Sequence, residues 1–324
     1  MNIRKAVPED VGPILDLIRR RIRWMDEIGL DHWNRVDYFG IYPERYYEEN
    51  IASFLVAEQA GRLIGALALY DHDSVWNDRT PARYVHNFVA DIDCPGTGAA
   101  LLRFAEQMTL TRGIRLMRMD TNLKDHKLSE YYEEKGYRTR GIVHRGLFLG
   151  VKREKRLDRE NPPYDAGGFF DSAGLTDGEL QLVLEKTSPA DPLRGRVPAY
   201  HFAICGSGGK KMGSCSLRIG HAETLYYAGH IGYEVEEPFR GRRLAARACR
   251  LLFPLAEKHR LGYVLITCDP ANPASRRSAE LAGCEFLETA PLPAWHDLAK
   301  QGFTEVCIYG KSLTAVRPDA PMRA

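Results

Sequence analysis

Two short loops place small or basic residues directly ahead of apolar helical runs. Gly96-Thr97-Gly98 precedes a run from Ala99 to about Met108, and Arg240-Gly241-Arg242-Arg243 precedes one from Leu244 to about Lys258. A helix start leaves backbone N–H groups without intrahelical partners and carries the positive end of the helix dipole. Small residues there let a phosphate group approach the backbone closely, so the chemistry suggested is diphosphate binding. In the second loop the arginines add donors suited to phosphate oxygens, although four such residues also make an ordinary solvated basic turn. Neither loop ends in Gly-Lys-Ser/Thr and neither is G-x-G-x-x-G, which sets both apart from the NTPase and dinucleotide loops. The seven cysteines are scattered, with no C-x-x-C pair. That spacing suggests neither a zinc site nor a disulfide framework, so no metal is expected.

The elements that must position these loops are legible from periodicity. Val11, Ile14, Leu15, Ile18, Ile22 and Met25 recur at helical spacing. Phe54 to Ala57 and Leu63 to Leu69 form a hairpin about Gly61, and Tyr84 to Val89 is a further strand. After the first loop and its helix come a strand from Ile114 to Met119 and a helix from Leu128 to Lys135, stopped by Gly136. The order then recurs. Tyr200 to Ile204 and Gly213 to Arg218 form a hairpin, His230 to Val235 is a strand, and Leu244 to Lys258 is a helix that Pro254 should kink. Tyr263 to Cys268 is a strand, Ser275 to Ala282 a helix stopped by Gly283, and two strands follow near 285–288 and 304–309. Gly98 corresponds to Ala245, Gly136 to Gly283 and Asp120 to Asp269, which reads as a duplication at domain scale. Residues 151–170, with alternating charges and then Pro162-Pro163 and Gly167-Gly168, read as a solvated linker between domains at 1–150 and 171–324.

The chain has 324 residues, 45 Lys+Arg against 43 Asp+Glu, 44% hydrophobic and 27% charged residues. That length suits two domains, and the composition is that of a globular protein. With the signs nearly cancelling, a nucleic-acid binder relying on bulk charge is disfavoured. No run approaches the ~20 apolar residues of a spanning helix. The start, Met1 to Asp10, lacks the apolar core of a secretory signal, so a cytoplasmic location is expected.

Both halves resemble GNAT acyltransferase domains. In the second half the resemblance rests on Gly229 to Ala245, a strand followed by the Arg240-Gly241-Arg242-Arg243 loop, and on Asn272-Pro273-Ala274-Ser275 with Gly283. It extends to the variety that includes ribosomal-protein N-terminal acetyltransferases. In the first half it rests on Tyr84 to Val89, Pro95 to Leu102 and Tyr131 to Tyr137. The departures there are larger: Asp93 stands at a basic position, Pro95 has no N–H, and Asp125 stands where Asn is usual. The resemblance implies an α/β (α+β) fold of two GNAT-like domains. Each would be a mixed, mostly antiparallel sheet, flanked by helices and split at the acetyl-CoA loop. It also implies acetyl-CoA as co-substrate. The second half is the expected site, through Val235, Arg240, Gly241, Arg242, Arg243, Leu244, Ala245 and Asn272. A weaker second site would use Val89, Gly96, Gly98, Ala99 and Tyr132. Arg243 stands where the family loop usually has Gly.

The implied reaction is direct attack of an amine on the thioester, which needs a proton acceptor, an oxyanion donor and a proton for the thiolate. Val235 is the expected backbone donor. His230 and, behind it, Glu234 are the expected bases, since an imidazole titrates near working pH; His230 equally suits a satisfied structural histidine, and Glu234 a surface carboxylate. Ser275 is the expected acid or else a helix cap. Position 279 carries Ala where many members place an acid Tyr; Tyr132 fills that slot in the first half, as an acid or a buried ring. The aromatics Trp24, Trp33, Tyr38, Tyr42, Tyr46 and Tyr47 suit an acceptor wall or simple packing. The expected function is N-acetyl transfer to the primary amine of a small molecule, or to a protein N-terminus. A non-catalytic acyl-CoA-binding or regulatory protein is the alternative. Neither nucleic acid nor membrane is an expected partner, and the oligomeric state stays open.

Overall fold

The computed structural model describes residues 1–76, 78–146, 148–164, 167–192 and 195–313. In chain order the elements are β1 (Asn2–Lys5), α1 (Val11–Glu27), α2 (Tyr38–Ile41), α3 (Glu44–Asn50), β2 (Phe54–Gln59), β3 (Arg62–Tyr70), β4 (Arg83–Ala90), α4 (Thr97–Thr111), β5 (Leu116–Asn122), α5 (His126–Glu134), β6 (Arg138–Arg145) and β7 (Phe148–Arg156). They continue with β8 (Leu180–Ser188), β9 (Ala199–Gly206), β10 (Lys211–Arg218), α6 (Glu223–Ala228), β11 (Ile231–Val235), α7 (Leu244–Lys258), β12 (Tyr263–Cys268), α8 (Pro273–Ala282), β13 (Glu285–Pro291), α9 (Asp297–Lys300) and β14 (Glu305–Ser312). This is the expected class, mixed sheets flanked by helices. Among the described residues no helix is long and apolar enough to cross a membrane.

The chain forms two compact units. The first holds Met1–Met119 and Glu154–Asn161; the second holds Asp120–Arg153 and everything from Pro162 onward. In the first unit the strands run β1-β2-β3-β4-β5, antiparallel except for the parallel β4/β5 pair. The apolar stripe of α1, with Ile14, Leu15, Leu17 and Ile18 buried, packs with Phe54, Val56, Ala66, Ala68 and Val89. Each such burial contributes about 1.5–3 kcal/mol, which is why periodicity located this helix. Tyr38 and Tyr47 of the aromatic group are buried in the same core. Their hydroxyls lie 3.0 Å apart, and Tyr46 bonds Tyr70 and Asn87.

Two sheets lie wholly in the second unit, β11-β10-β9-β8 and β12-β14-β13, both antiparallel, and β6 with most of β7 belongs to this unit as well. One core joins β8–β11 to α7. Another brings Leu123, Leu149 and Val151 against Tyr263, Leu265, Leu287 and Ile308. β6 lies along β14, with the Ile142 N–H donating to Ser312 Oγ at 2.8 Å.

The expected linker is corrected over its first residues: 151–156 belong to strand β7. Alternation turns every other charged side chain inward, and each finds partners. Arg153 is 2% exposed. Its guanidinium donates to Thr121 Oγ1 (2.9 Å), Ser129 Oγ (2.6 Å) and Glu133 Oε1 (3.3 Å). Asp165 and Ala166 of that stretch, and residues 314–324 of the expected second domain, lie outside the described residues. The strand at 180–188 and the short helix at 223–228 were not anticipated. β8 is an edge strand with Gln181, Val183 and Glu185 exposed, so only Leu180 and Leu182 mark a buried face.

Removing one member of a buried, hydrogen-bonded charge cluster strands the others. Arg153→Ala is therefore expected to lower stability by about 3–5 kcal/mol in a chemical denaturation curve; a loss below 1 kcal/mol would contradict the role given to this side chain.

Candidate active site

The two sheets of the second unit meet at one point. The His230 N–H donates to Leu265 O (2.7 Å), and the Leu265 N–H donates to His230 Nδ1 (3.0 Å). Just before it, Gly229 has φ +70°, and a Cβ there would lie 3.0 Å from Leu265 O. Only glycine permits that backbone and that approach. Beyond this point β11 and β12 pair within their own sheets and not with each other. On β11, the Arg218 N–H bonds His230 O and the Glu236 N–H bonds Met212 O. By alternation, the backbone groups of residues 230, 232, 234 and 236 face β10. Those of Tyr233 and Val235 therefore face the open edge.

A cleft of about 360 Å³ lies along that edge, lined by Tyr233, Glu234, Val235, Phe239, Arg240–Ala245, Asn272, Ala274, Ser275 and Ser278. It brings together every residue expected at the second-half site except His230. α7 begins at Leu244, with Arg243 as its cap in the left-handed region at φ 58°. A non-glycine side chain there costs on the order of 1 kcal/mol, a strain more common at functional sites than elsewhere. Gly241 has φ +80° with open space around its Cβ position. Arg240, Arg242 and Arg243 are exposed, Arg240 being turned back by its Nε bond to Val235 O (3.1 Å). Arg242 also lies over the Phe239 ring. Across the cleft, Asn272 caps α8, its side chain accepting from the Ser275 N–H at 3.0 Å. Ser275 is thus not the cap, and its Oγ is left to meet the Tyr233 hydroxyl at 2.9 Å. The same phenol bonds Ser275 O at 3.0 Å, and burial raises its pKa. Strand alternation placed Tyr233 on the face of Val235, so this residue was findable from sequence.

His230 is corrected: it is not a proton acceptor. It is 1% exposed, and both ring nitrogens are engaged. Because Nδ1 accepts from Leu265 N–H, the proton sits on Nε2 and is donated to Gly220 O at 2.9 Å. Burial lowers its pKa to about 3. Glu234, by contrast, is exposed at the cleft.

The weaker first-half set is dispersed. Gly96 caps α4 at φ 87°, and a Cβ at Gly98 would lie 3.5 Å from the Phe88 ring. Ala99 lies in the first turn of α4, and the Thr97 N–H is taken by Cys94 O (3.3 Å). Val89 is a core residue at 2% exposure. Tyr132 is corrected from an acid candidate: it is 6% exposed and packed edge-on against Tyr131 and Tyr137. Among the described residues no three His, Cys, Asp or Glu are grouped to hold a metal.

The sheet is split at a pinned point, with a helix N-terminus and three arginines beside the gap. Residues 173–285 match the family model described as Acetyltransferase (GNAT) domain. The chain thus carries an acyltransferase domain. No curated protein matches the chain. Similar solved structures include a GNAT-family acetyltransferase from Listeria monocytogenes, 23% identical, covering 48% of this chain and 94% of that one at a TM-score of 0.40. PaiA N-acetyltransferase from Thermoplasma acidophilum in complex with coenzyme A is 18% identical, with coverage of 48% and 98% and a TM-score of 0.40. Ribosomal-protein-alanine N-acetyltransferase from Brucella melitensis is 18% identical, with coverage of 48% and 99% and a TM-score of 0.38.

The buried imidazole sets a pH dependence. Between about pH 6.5 and 3 the unfolded state binds a proton at position 230 that the folded state does not, so stability falls as pH falls through that window. His230→Gln, which can still donate and accept, is expected to flatten this part of the acid limb in denaturation measured from pH 7 to 4. An unchanged slope would contradict it.

Proposed function

We propose that the chain transfers the acetyl group of acetyl-CoA to a primary amine at the cleft between β11 and β12. The observation that carries this is the coincidence, within the matched family segment, of the sheet split, the open α7 N-terminus and the Asn272/Ser275 turn around one cleft. The recurrent order strand, loop, helix, strand, turn, helix supports a tandem of two related domains, with the second holding the working site. The first-half loop lacks the arginines and turns Phe88 toward Gly98, which supports a weaker or structural role there.

Bound acetyl-CoA supplies a thioester whose acyl carbon accepts the amine and whose sulfur leaves. The N–H groups at the start of α7, with Arg240, Arg242 and Arg243, would hold its diphosphate. The Val235 N–H, facing the open edge, would donate to the acetyl oxygen. Glu234 replaces His230 as proposed base, taking the amine proton directly or through one water. Ser275, held by Tyr233, would return a proton to the departing sulfur. When Tyr233 donates to Ser275 Oγ rather than to Ser275 O, the serine proton is free to point into the cleft. The acceptor is proposed to be a small amine, since the cofactor features carry the support and nothing marks a peptide groove.

Calorimetric titration with acetyl-CoA is expected to show one site per chain, with the heat abolished in Gly241→Asp, which puts a carboxylate beside the diphosphate. Absence of binding would overturn the transferase assignment, and binding without CoA release on any amine would favour the non-catalytic alternative. Ser275→Ala is expected to lower kcat by roughly 100-fold with acetyl-CoA affinity little changed; an unaltered kcat would remove Ser275 from the proton path.

A further inference from the structure

Arg218 is a half-buried cation that no carboxylate pairs among the described residues. It sits on β10, where Ser214, Ser216 and Arg218 share one face by alternation. Its NH1 donates to two main-chain carbonyls at the end of α6, Ala228 O (3.3 Å) and Gly229 O (3.1 Å). Among the described residues no carboxylate pairs with it, and burial alone depresses its pKa. A half-buried guanidinium held by carbonyls alone keeps its charge uncompensated, and its planar fork matches a carboxylate. Cross-strand pairing sets the adjoining row: Ser214 opposite Glu234, and Ser216 opposite Gly232. On the other side Ser216 pairs with His201, and His201 with Lys186. A Cβ at Gly232 would lie 3.5 Å from both terminal nitrogens of Arg218 and 3.2 Å from Ser216 Oγ. The missing side chain therefore lets the guanidinium lie across the strand, in contact with Gly232 and Ser216. Glu234, the proposed base, is two residues along the same strand on the same face, about 7 Å away.

We propose that the acceptor is an aminocarboxylate, its carboxylate bound by the Arg218 guanidinium and its amine presented to Glu234 on the same sheet face. This rests on the transferase assignment of the neighbouring cleft. A single guanidinium with a carboxylate one row away suits a monoanion better than a phosphate dianion, which Glu234 would repel. The spacing suits an amine separated from its carboxylate by a short aliphatic chain.

The test uses charge-only pairs: β-alanine and 4-aminobutyrate against their amides, with CoA release as the readout. A second readout is calorimetric titration of 4-aminobutyrate into protein saturated with CoA. The intact protein is expected to prefer the acids by roughly 10- to 100-fold in kcat/KM. Arg218→Gln should erase most of that preference without altering the KM for acetyl-CoA. Arg218→Lys, which keeps the positive charge but loses the planar fork, should lose much of the preference as well, and it keeps the test valid if Arg218→Gln does not fold. Equal use of acids and amides, a preference surviving in the variants, or failure of the CoA-loaded protein to bind 4-aminobutyrate would each overturn the proposal. If acetyl-CoA itself does not bind, the transferase assignment fails instead. Arg218-dependent binding of 4-aminobutyrate to the free chain would then support the anion site on its own, and its absence would overturn it.

Discussion

The second unit depends on the pinch between His230 and Leu265. Two hydrogen bonds close the sheet there, one from backbone to backbone and one from a backbone N–H to an imidazole nitrogen. A third ties the opposite ring nitrogen to Gly220. Because the ring is buried with its donors and acceptors paired, it stays neutral and fixed. An unpaired polar group there would cost about 1–3 kcal/mol. Fixing one point lets the strands separate beyond it, so that an edge of free main-chain groups faces α7 and α8. The gap is thus a product of local hydrogen-bond geometry, with Gly229 making the approach sterically feasible.

Around the gap each structural device leaves something available for chemistry. Asn272 caps α8, which frees the Ser275 hydroxyl to meet Tyr233. Arg243 occupies the left-handed position at the start of α7, which lets a bulky cation sit where close approach would favour glycine. On the adjoining sheet face, Gly232 lets the Arg218 guanidinium lie across the strand. Charges elsewhere are handled differently. Arg153 is buried and Glu133 half-buried, and they bond each other, neighbouring hydroxyls and Arg138. In the first unit Arg118 pairs with both Asp78 and Glu154. Arg218, turned toward carbonyls alone, stands apart from both arrangements.

Sequence alone determined the element types wherever burial was one-sided and periodic. α1, α7, β12 and the β9/β10 hairpin follow from apolar spacing, and the helix stops at Gly136 and Gly283 from backbone permissiveness. It also placed the Arg240–Arg243 loop and the Asn272 turn, because both are built from consecutive residues. Tertiary structure decided what depends on partners distant in the chain. The charged run at 152–156 became a strand because Thr121, Ser129 and Glu133 wait for Arg153. His230 lost its proton-accepting role because Gly220 and Leu265 claim both nitrogens. Alternation reveals the face on which Tyr233 lies, but its Ser275 partner and the carbonyl contacts of Arg218 come from neighbours that no spacing along the chain reveals: a side chain's reactivity is set by what remains unpaired after folding.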